Sequence, residues 1–327
     1  MSTASFIRNS LVSLVALVCI AVAGGAHAQA GYPNKPVKLV VPFAAGGSTT
    51  LLARMLTERL GQSMGQPFVI DNRAGAGGNV GMEYVARSEP DGYTLLLAPI
   101  GMATNPALYP KMSFDPQKDF APISLYAGVP NLLVVHPSVP ARNIGELIAY
   151  AKAHPGKLTY ASSGVGTSSH LTAEMLKSAA GIFILHIPYR GGAPAMQDLM
   201  GGQVHMLFEQ VPSVLPEVQS GRVRALGITS TRRMPTAPEI PTVAESLAGF
   251  EVNAWMGIAA PKGTSPQIVA RLNAEIVKVL NDPAFQAQLA RVGATAMPSS
   301  PTDYAKFLAS ETTRWTRIVK ASGARLD

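Results

Sequence analysis

A layout that occurs twice limits this chain most: an apolar run, a turn of small residues, and a helix-periodic stretch behind it. Residues 38–60 read KLVVPFAAGGSTTLLARMLTERL. Leu39, Val40 and Val41 form the continuous apolar run of a buried strand. Pro42 ends it, having no N–H for a sheet ladder. Ala44, Ala45, Gly46 and Gly47 let the backbone turn with little bulk, and Ser48 or Thr49 is placed to cap the helix that follows. Leu51, Leu52, Met55, Leu56 and Leu60 give that helix an apolar face. Residues 157–176 repeat the plan: a strand over 157–161, a turn over 162–169, and a helix through Leu171, Met175 and Leu176. A helix opening behind such a turn presents unpaired N–H groups and the positive end of its dipole. That is either an anion site or a plain β–α turn with glycines for packing.

The remaining elements follow the same alternation. A strand at 67–70, a glycine-rich turn at 71–79, a helix near 80–88 and a strand at 93–97 read as a parallel α/β sheet, with 98–106 as a loop. Residues 119–126 and 131–136 read as two extended segments. Asn143 caps a helix to 154, with Glu146 as its capping-box partner. Strands at 183–188, 204–208 and 225–229 alternate with helices at 195–200 and 214–219; 231–241 reads as surface loop and 251–259 as extended. Helices at 265–280, 283–292 and 300–321 close the chain. The expected fold class is α/β: two lobes with a hinge where the chain crosses near 126–130 and returns near 250–254, and a ligand cleft between them. Residues 29–126 and 252–327 make the first lobe and 127–251 the second.

Composition removes several classes. With 47% hydrophobic and 14% charged residues in 327, the chain is not disordered. Its net charge is +7, but the 27 Lys and Arg are dispersed and aromatics are only 6%, which argues against nucleic acid and leaves solubility or anion attraction. Residues 1–28 read as a cleaved export signal: Arg8, an apolar stretch over 11–23, then Ala26-His27-Ala28, so that the mature chain starts at Gln29 in the periplasm. Cys19, the single cysteine, leaves with it, and the Leu17-Val18 before it is unlike a lipidation site. Disulfides, thiol nucleophiles and cysteine metal sites are thereby excluded from the mature chain. The six His include no H-E-x-x-H pair, so neither a metal nor a cofactor is expected.

Small-residue turns stand at the ends of strands at 43–50, 99–104, 162–169 and 189–192, where open α/β sheets bind ligands. Turns from opposite lobes would hold a carboxylate through backbone N–H groups and hydroxyls. Arg190, beside Tyr189, either pairs with that carboxylate or faces solvent. Glu209 either accepts from a ligand hydroxyl or ammonium group or faces solvent. The glycines at 75, 77 and 81 imitate a dinucleotide fingerprint, but no acidic residue ends the next strand. A hydrolase would want a G-x-S-x-G elbow, which is missing, and Ser168 and His170 are two apart on a helix start, where side chains diverge.

Taken together, VVPFAAGG (40–47), DNRAGAGGNVG (71–81), PDGYTLLL (90–97), NPALY (105–109), GKLTYASSGVGTSSHL (156–171), PYRGGAPAMQDLMGGQV (188–204) and EIPTVAES (239–246) resemble the substrate-binding proteins of tripartite tricarboxylate transporters, the Bug or TctC family. The resemblance covers essentially the whole mature chain. It implies a type II periplasmic binding fold, a small organic acid as ligand, and a large and a small permease subunit as partners of a monomeric receptor. Carried onto this sequence, the first turn corresponds to Phe43, Gly46, Gly47, Ser48 and Thr49, and the second-lobe turn to Ser162, Gly164, Thr167 and Ser168. Ser163, Gly101, Ala103, Thr104, Tyr189, Arg190 and Glu209 flank the same cleft. Two departures matter: Thr50 stands where the family commonly has Asp, which should ease binding of a second negative group, and Glu209 where it commonly has Asp, which fills more of the cleft. The expected role is capture of a carboxylate for a transporter; a periplasmic sensor using the same closure is the alternative, and a periplasmic hydrolase a more distant one.

Overall fold

A computed structural model describes residues 31–322 and 324. The export-signal reading of residues 1–28 lies outside these residues. Residues 1–34 and 35–327 form separate compact units, and of the first only a short turn over 31–34 is described. All that follows concerns the second unit.

The 38–60 segment folds into β1 (Val37–Val41) and α1 (Ser48–Met64). Burial selects Leu52, Ala53, Leu56, Leu60 and Met64 as the inward stripe of α1, while Leu51 is exposed. Gly65 stops the helix in the left-handed conformation, its N–H bonded to the Gly61 carbonyl at 3.1 Å. The chain continues through β2 (Phe68–Asn72), α2 (Asn79–Ala86), β3 (Thr94–Pro99), α3 (Gly101–Leu108), β4 (Phe120–Val135), α4 (Ile144–Ala153), β5 (Thr159–Ser162) and α5 (Ser168–Ala180). Then come β6 (Leu185–Pro188), α6 (Gly192–Met200), β7 (Met206–Gln210), α7 (Val211–Gln219) and β8 (Arg224–Ile228). The last elements are β9 (Asn253–Pro261), α8 (Pro266–Leu280), α9 (Pro283–Arg291), β10 (Thr295–Ala296) and α10 (Pro301–Ser322).

The strands order as β2-β1-β3-β9-β4-β7-β5-β6, with β8 and β10 added to β4. Pairing is parallel within β2-β1-β3 and within β7-β5-β6, and antiparallel wherever β4 or β9 takes part. The two extended segments expected around 119–136 are one strand of 16 residues. Its first part, to Pro130, pairs with β9; from Asn131 it pairs with β7 and β8. Pro130, which cannot donate to a ladder, marks the change of partner. One strand thus serves both ends of the sheet.

The 98–106 loop expected from Gly, Thr, Asn and Pro is instead the end of β3 and most of α3. Residues 101–105 are buried, so tertiary packing overrides weak propensity and tolerates Pro106 within the helix. Helix α10 supports it with a buried stripe of Tyr304, Leu308, Glu311, Trp315 and Val319. Glu311 Oε2 accepts from both the Trp255 and Trp315 indoles at 2.9 Å, tying α10 to β9. Among the described residues no helix is long and apolar enough to cross a membrane.

Candidate functional site

A chain turning from strand to helix through small residues leaves its first helical N–H groups open to whatever lies beyond the strand end. Five helices here start around one cavity. Gly47, Ser48 and Thr49 of α1, Ile100 before α3, Thr167 and Ser168 of α5, Gly192 of α6, and Gln210 before α7 all line it. Phe43, Ala44, Pro99, Ser163, Glu209, Trp255 and Met256 complete the wall. The cavity has a volume of about 500 Å³, part of it open to solvent.

None of these five helices is capped by its own N-cap side chain, but in α7 Pro212 has no N–H and Ser213 N donates to Ser48 Oγ at 3.0 Å, so the uncapped starts are those of α1, α3, α5 and α6. Gly47 takes the N-cap position expected of Ser48 or Thr49, and the Thr167 hydroxyl donates to the Gly164 carbonyl at 2.6 Å instead of capping α5. By contrast α4, α8 and α9 are capped by Asn143, Ser265 and Asp282. The capped starts of α4, α8 and α9 lie away from the cavity, as does that of α2, which has no side-chain cap either; four uncapped starts face it. No Lys, Arg or His side chain lines it among the described residues. Its positive potential comes from backbone N–H groups and helix dipoles, which suits an anion held by main-chain hydrogen bonds.

Contacts from opposite ends of the sheet shut the cavity. Ser48 Oγ donates to Ser213 Oγ at 2.8 Å and Ala44 N to the Arg190 carbonyl at 3.1 Å. Thr104 Oγ1 donates to the Gly166 carbonyl at 2.6 Å and Tyr109 Oη to the Val165 carbonyl at 3.2 Å. Gly77 packs so closely on Val165 that a Cβ would collide with its carbonyl oxygen.

Glu209 is the ionisable side chain of the wall, and it is buried. Its Oε1 accepts from Gln210 N and its Oε2 from Ser163 Oγ, each at 2.9 Å. Burial pushes its pKa up, while the hydrogen bonds from Gln210, Ser163 and Ser213 pull it down. Behind the 162–167 turn, His170 stacks on His186 with ring centroids 4.5 Å apart and accepts from Gly166 N at 3.3 Å. Burial first, then the neighbouring His186 and Lys177, lower its pKa to about 3.

Of the residues singled out in the sequence, Phe43, Gly47, Ser48, Thr49, Ser163, Thr167, Ser168 and Glu209 meet in the cavity. Gly46 and Thr50 line a shallow groove on the other side of the first turn, and Thr50 Oγ1 accepts from Asn72 Nδ2 at 3.1 Å. Gly101, Ala103 and Thr104 lie inside α3, where the Thr104 hydroxyl is bonded to the Gly166 carbonyl. Gly164 packs against Gly77, and Ser162 Oγ bonds His186 Nε2 at 2.6 Å. Burial, and then the hydrogen bond that Tyr189 donates to Asp198 at 2.6 Å, push its hydroxyl up to about 12; the Arg190 side chain is exposed. Neither lines the cavity. Trp255, Met256 and Gln210 went unnoticed, because strand residues carry no turn signal to mark them; Trp255, one of only two tryptophans, was the available hint.

Residues 52–324 match the model of the tripartite tricarboxylate transporter family receptor. The chain is 39% identical to protein BugT of Bordetella pertussis, over 90% of this chain and 91% of that one. It also superposes on two solved proteins of Rhodopseudomonas palustris. Rpa4515 with adipate has a TM-score of 0.88 at 38% identity, covering 90% of this chain and all of the other (100%). MatC with bound malate has a TM-score of 0.83 at 35% identity, covering 88% and 100%.

Proposed function

The chain belongs to the tripartite tricarboxylate transporter receptor family, and from that we propose that it captures a small organic carboxylate outside the cytoplasm and delivers it to a tripartite membrane transporter. The observation that carries this reading is the meeting of four uncapped helix N-termini on a cavity that no cationic side chain lines among the described residues. An anion there receives several main-chain hydrogen bonds at once. Adipate and malate in the two similar proteins are carboxylates of the same kind.

Residues 29–126 with 252–327 act as one lobe and 127–251 as the other, joined where β4 changes partner. The ligand touches turns from both, so it binds the closed form better and shifts the population toward it. The large and small permease subunits then read the closed shape. Residues 1–28 direct export and are removed after Ala28, leaving a monomeric periplasmic receptor. The site binds and releases; it does not turn substrate over. The one histidine-paired serine near it, Ser162, is outside the cavity wall, and the wall hydroxyl of Ser163 is committed to Glu209.

The test is a thermal-shift screen of residues 29–327 against carboxylates, with sugars, amino acids and phosphate as controls. A ligand at 100 times its Kd adds about 2.7 kcal/mol to the folded state. Shifts with a carboxylate class support the reading. Shifts confined to sugars or cations overturn it.

A further inference from the structure

Glu209 stands at the end of β7 with its carboxylate inside the cavity wall and only 4% of the residue exposed. One oxygen accepts from Gln210 N, the N-cap of α7. The carboxyl group also lies against the opening of α6: a Cβ built on Gly192 would stand 2.8 Å from its carboxyl carbon. The starts of α6 and α7 are therefore already turned toward an anion, and that anion belongs to the protein. Its other oxygen accepts from Ser163 Oγ in the turn before α5, whereas among the described residues no hydrogen bond ties Glu209 to the starts of α1 and α3. Those two are the starts left for a ligand carboxylate.

A ligand with a second carboxylate at its far end would bring that group against Glu209. No Lys, Arg or His of the wall stands ready to neutralise the pair, and little water is left between them. A ligand ending in a hydrogen-bond donor would instead meet an acceptor. The cavity, about 500 Å³ including space open to solvent, is the size of a small-molecule site.

We propose that Glu209 is a specificity-determining residue that fills the second acid subsite with the protein's own carboxylate, so that the receptor selects a small monocarboxylate carrying a terminal hydrogen-bond donor over a dicarboxylate of equal length. This rests on the carboxylate reading given above.

Calorimetric titration of residues 29–327 decides it with two matched pairs, 3-hydroxypropanoate against malonate and 4-hydroxybutanoate against succinate. The unaltered protein should bind the hydroxy acid at least tenfold more tightly in at least one pair. Glu209→Gln keeps the shape and removes the charge, and should shrink that preference to within about threefold or reverse it. A merely structural role for Glu209 would weaken both members of a pair alike. Should the variant fail to fold, the unaltered protein still decides: equal or tighter binding of the dicarboxylates overturns the proposal, as does a preference unchanged by Glu209→Gln. If no acid of either kind binds and only sugars or cations raise the melting temperature, the carboxylate reading itself falls, and this proposal with it.

Discussion

Closure is the step most open to a single-residue test, and Gly77 is the place to make it. Gly77 sits in the turn after β2 at φ 61°, ψ 24°, a left-handed conformation that glycine adopts freely. A Cβ there would collide with the Val165 carbonyl oxygen across the cleft and stand 2.9 Å from Tyr109 Oη. Gly77→Ala thus carries two costs in different states. The left-handed alanine costs about 1 kcal/mol whether the cleft is open or closed. The collision costs about 1–3 kcal/mol, the range for overpacking, and only when the cleft is closed. At about 1.4 kcal/mol per tenfold, ligand affinity should fall roughly five- to 150-fold. The ligand-free protein should lose only about 2–4 °C of melting temperature. Gly81→Ala is the comparison, because its Cβ would press on Pro42 Cα at 2.8 Å on the same side of the cleft. It should lower the melting temperature without a matching loss of affinity. The assay is calorimetric titration plus thermal melting of both variants with one identified carboxylate. An unchanged Kd in Gly77→Ala, or parallel losses in the two variants, would refute closure through the Gly77–Val165 contact.

Glu311→Ala leaves two buried indole N–H groups, of Trp255 and Trp315, without an acceptor; at about 1–3 kcal/mol for each, urea unfolding should show a loss of several kcal/mol. His170 has a folded-state pKa of about 3, below the ordinary 6.5, so the unfolded chain takes up the proton first. Its contribution is whole above pH 6.5 and declines as the pH falls toward 3, by about 1.4 kcal/mol per unit. Urea melts at pH 7 and 5 should therefore differ by about 2 kcal/mol, and His170→Gln should remove most of that difference. Thr104→Val deletes the 2.6 Å bond to the Gly166 carbonyl while preserving shape, and should weaken ligand binding by about 1 kcal/mol, measured as a roughly fivefold rise in Kd.

Local chemistry was sufficient to read much of this protein from its sequence. The run Leu39–Val41, Pro42 and the two glycines after it fix a strand, its end and a turn within a few residues, and β1 and α1 follow. The same local logic placed seven of the cavity residues, because a small-residue turn at a strand end has few alternatives in an α/β sheet. Tertiary structure decided what depends on distant partners. Residues 101–108 became helical because α10 and the core bury them, against the preferences of Gly, Asn and Pro. Residues 120–135 became one strand because β9 pairs with its first part and β7 with its second. Arg190 has the right chemistry for an anion but an exposed side chain, and Tyr189 is committed to Asp198. Glu209 gained its place only when the starts of α6 and α7 met at the end of β7. A sequence fixes what its neighbours along the chain can satisfy by themselves. Which side chains share a cavity depends on packing among segments far apart in the chain, where burial and hydrogen bonding act together.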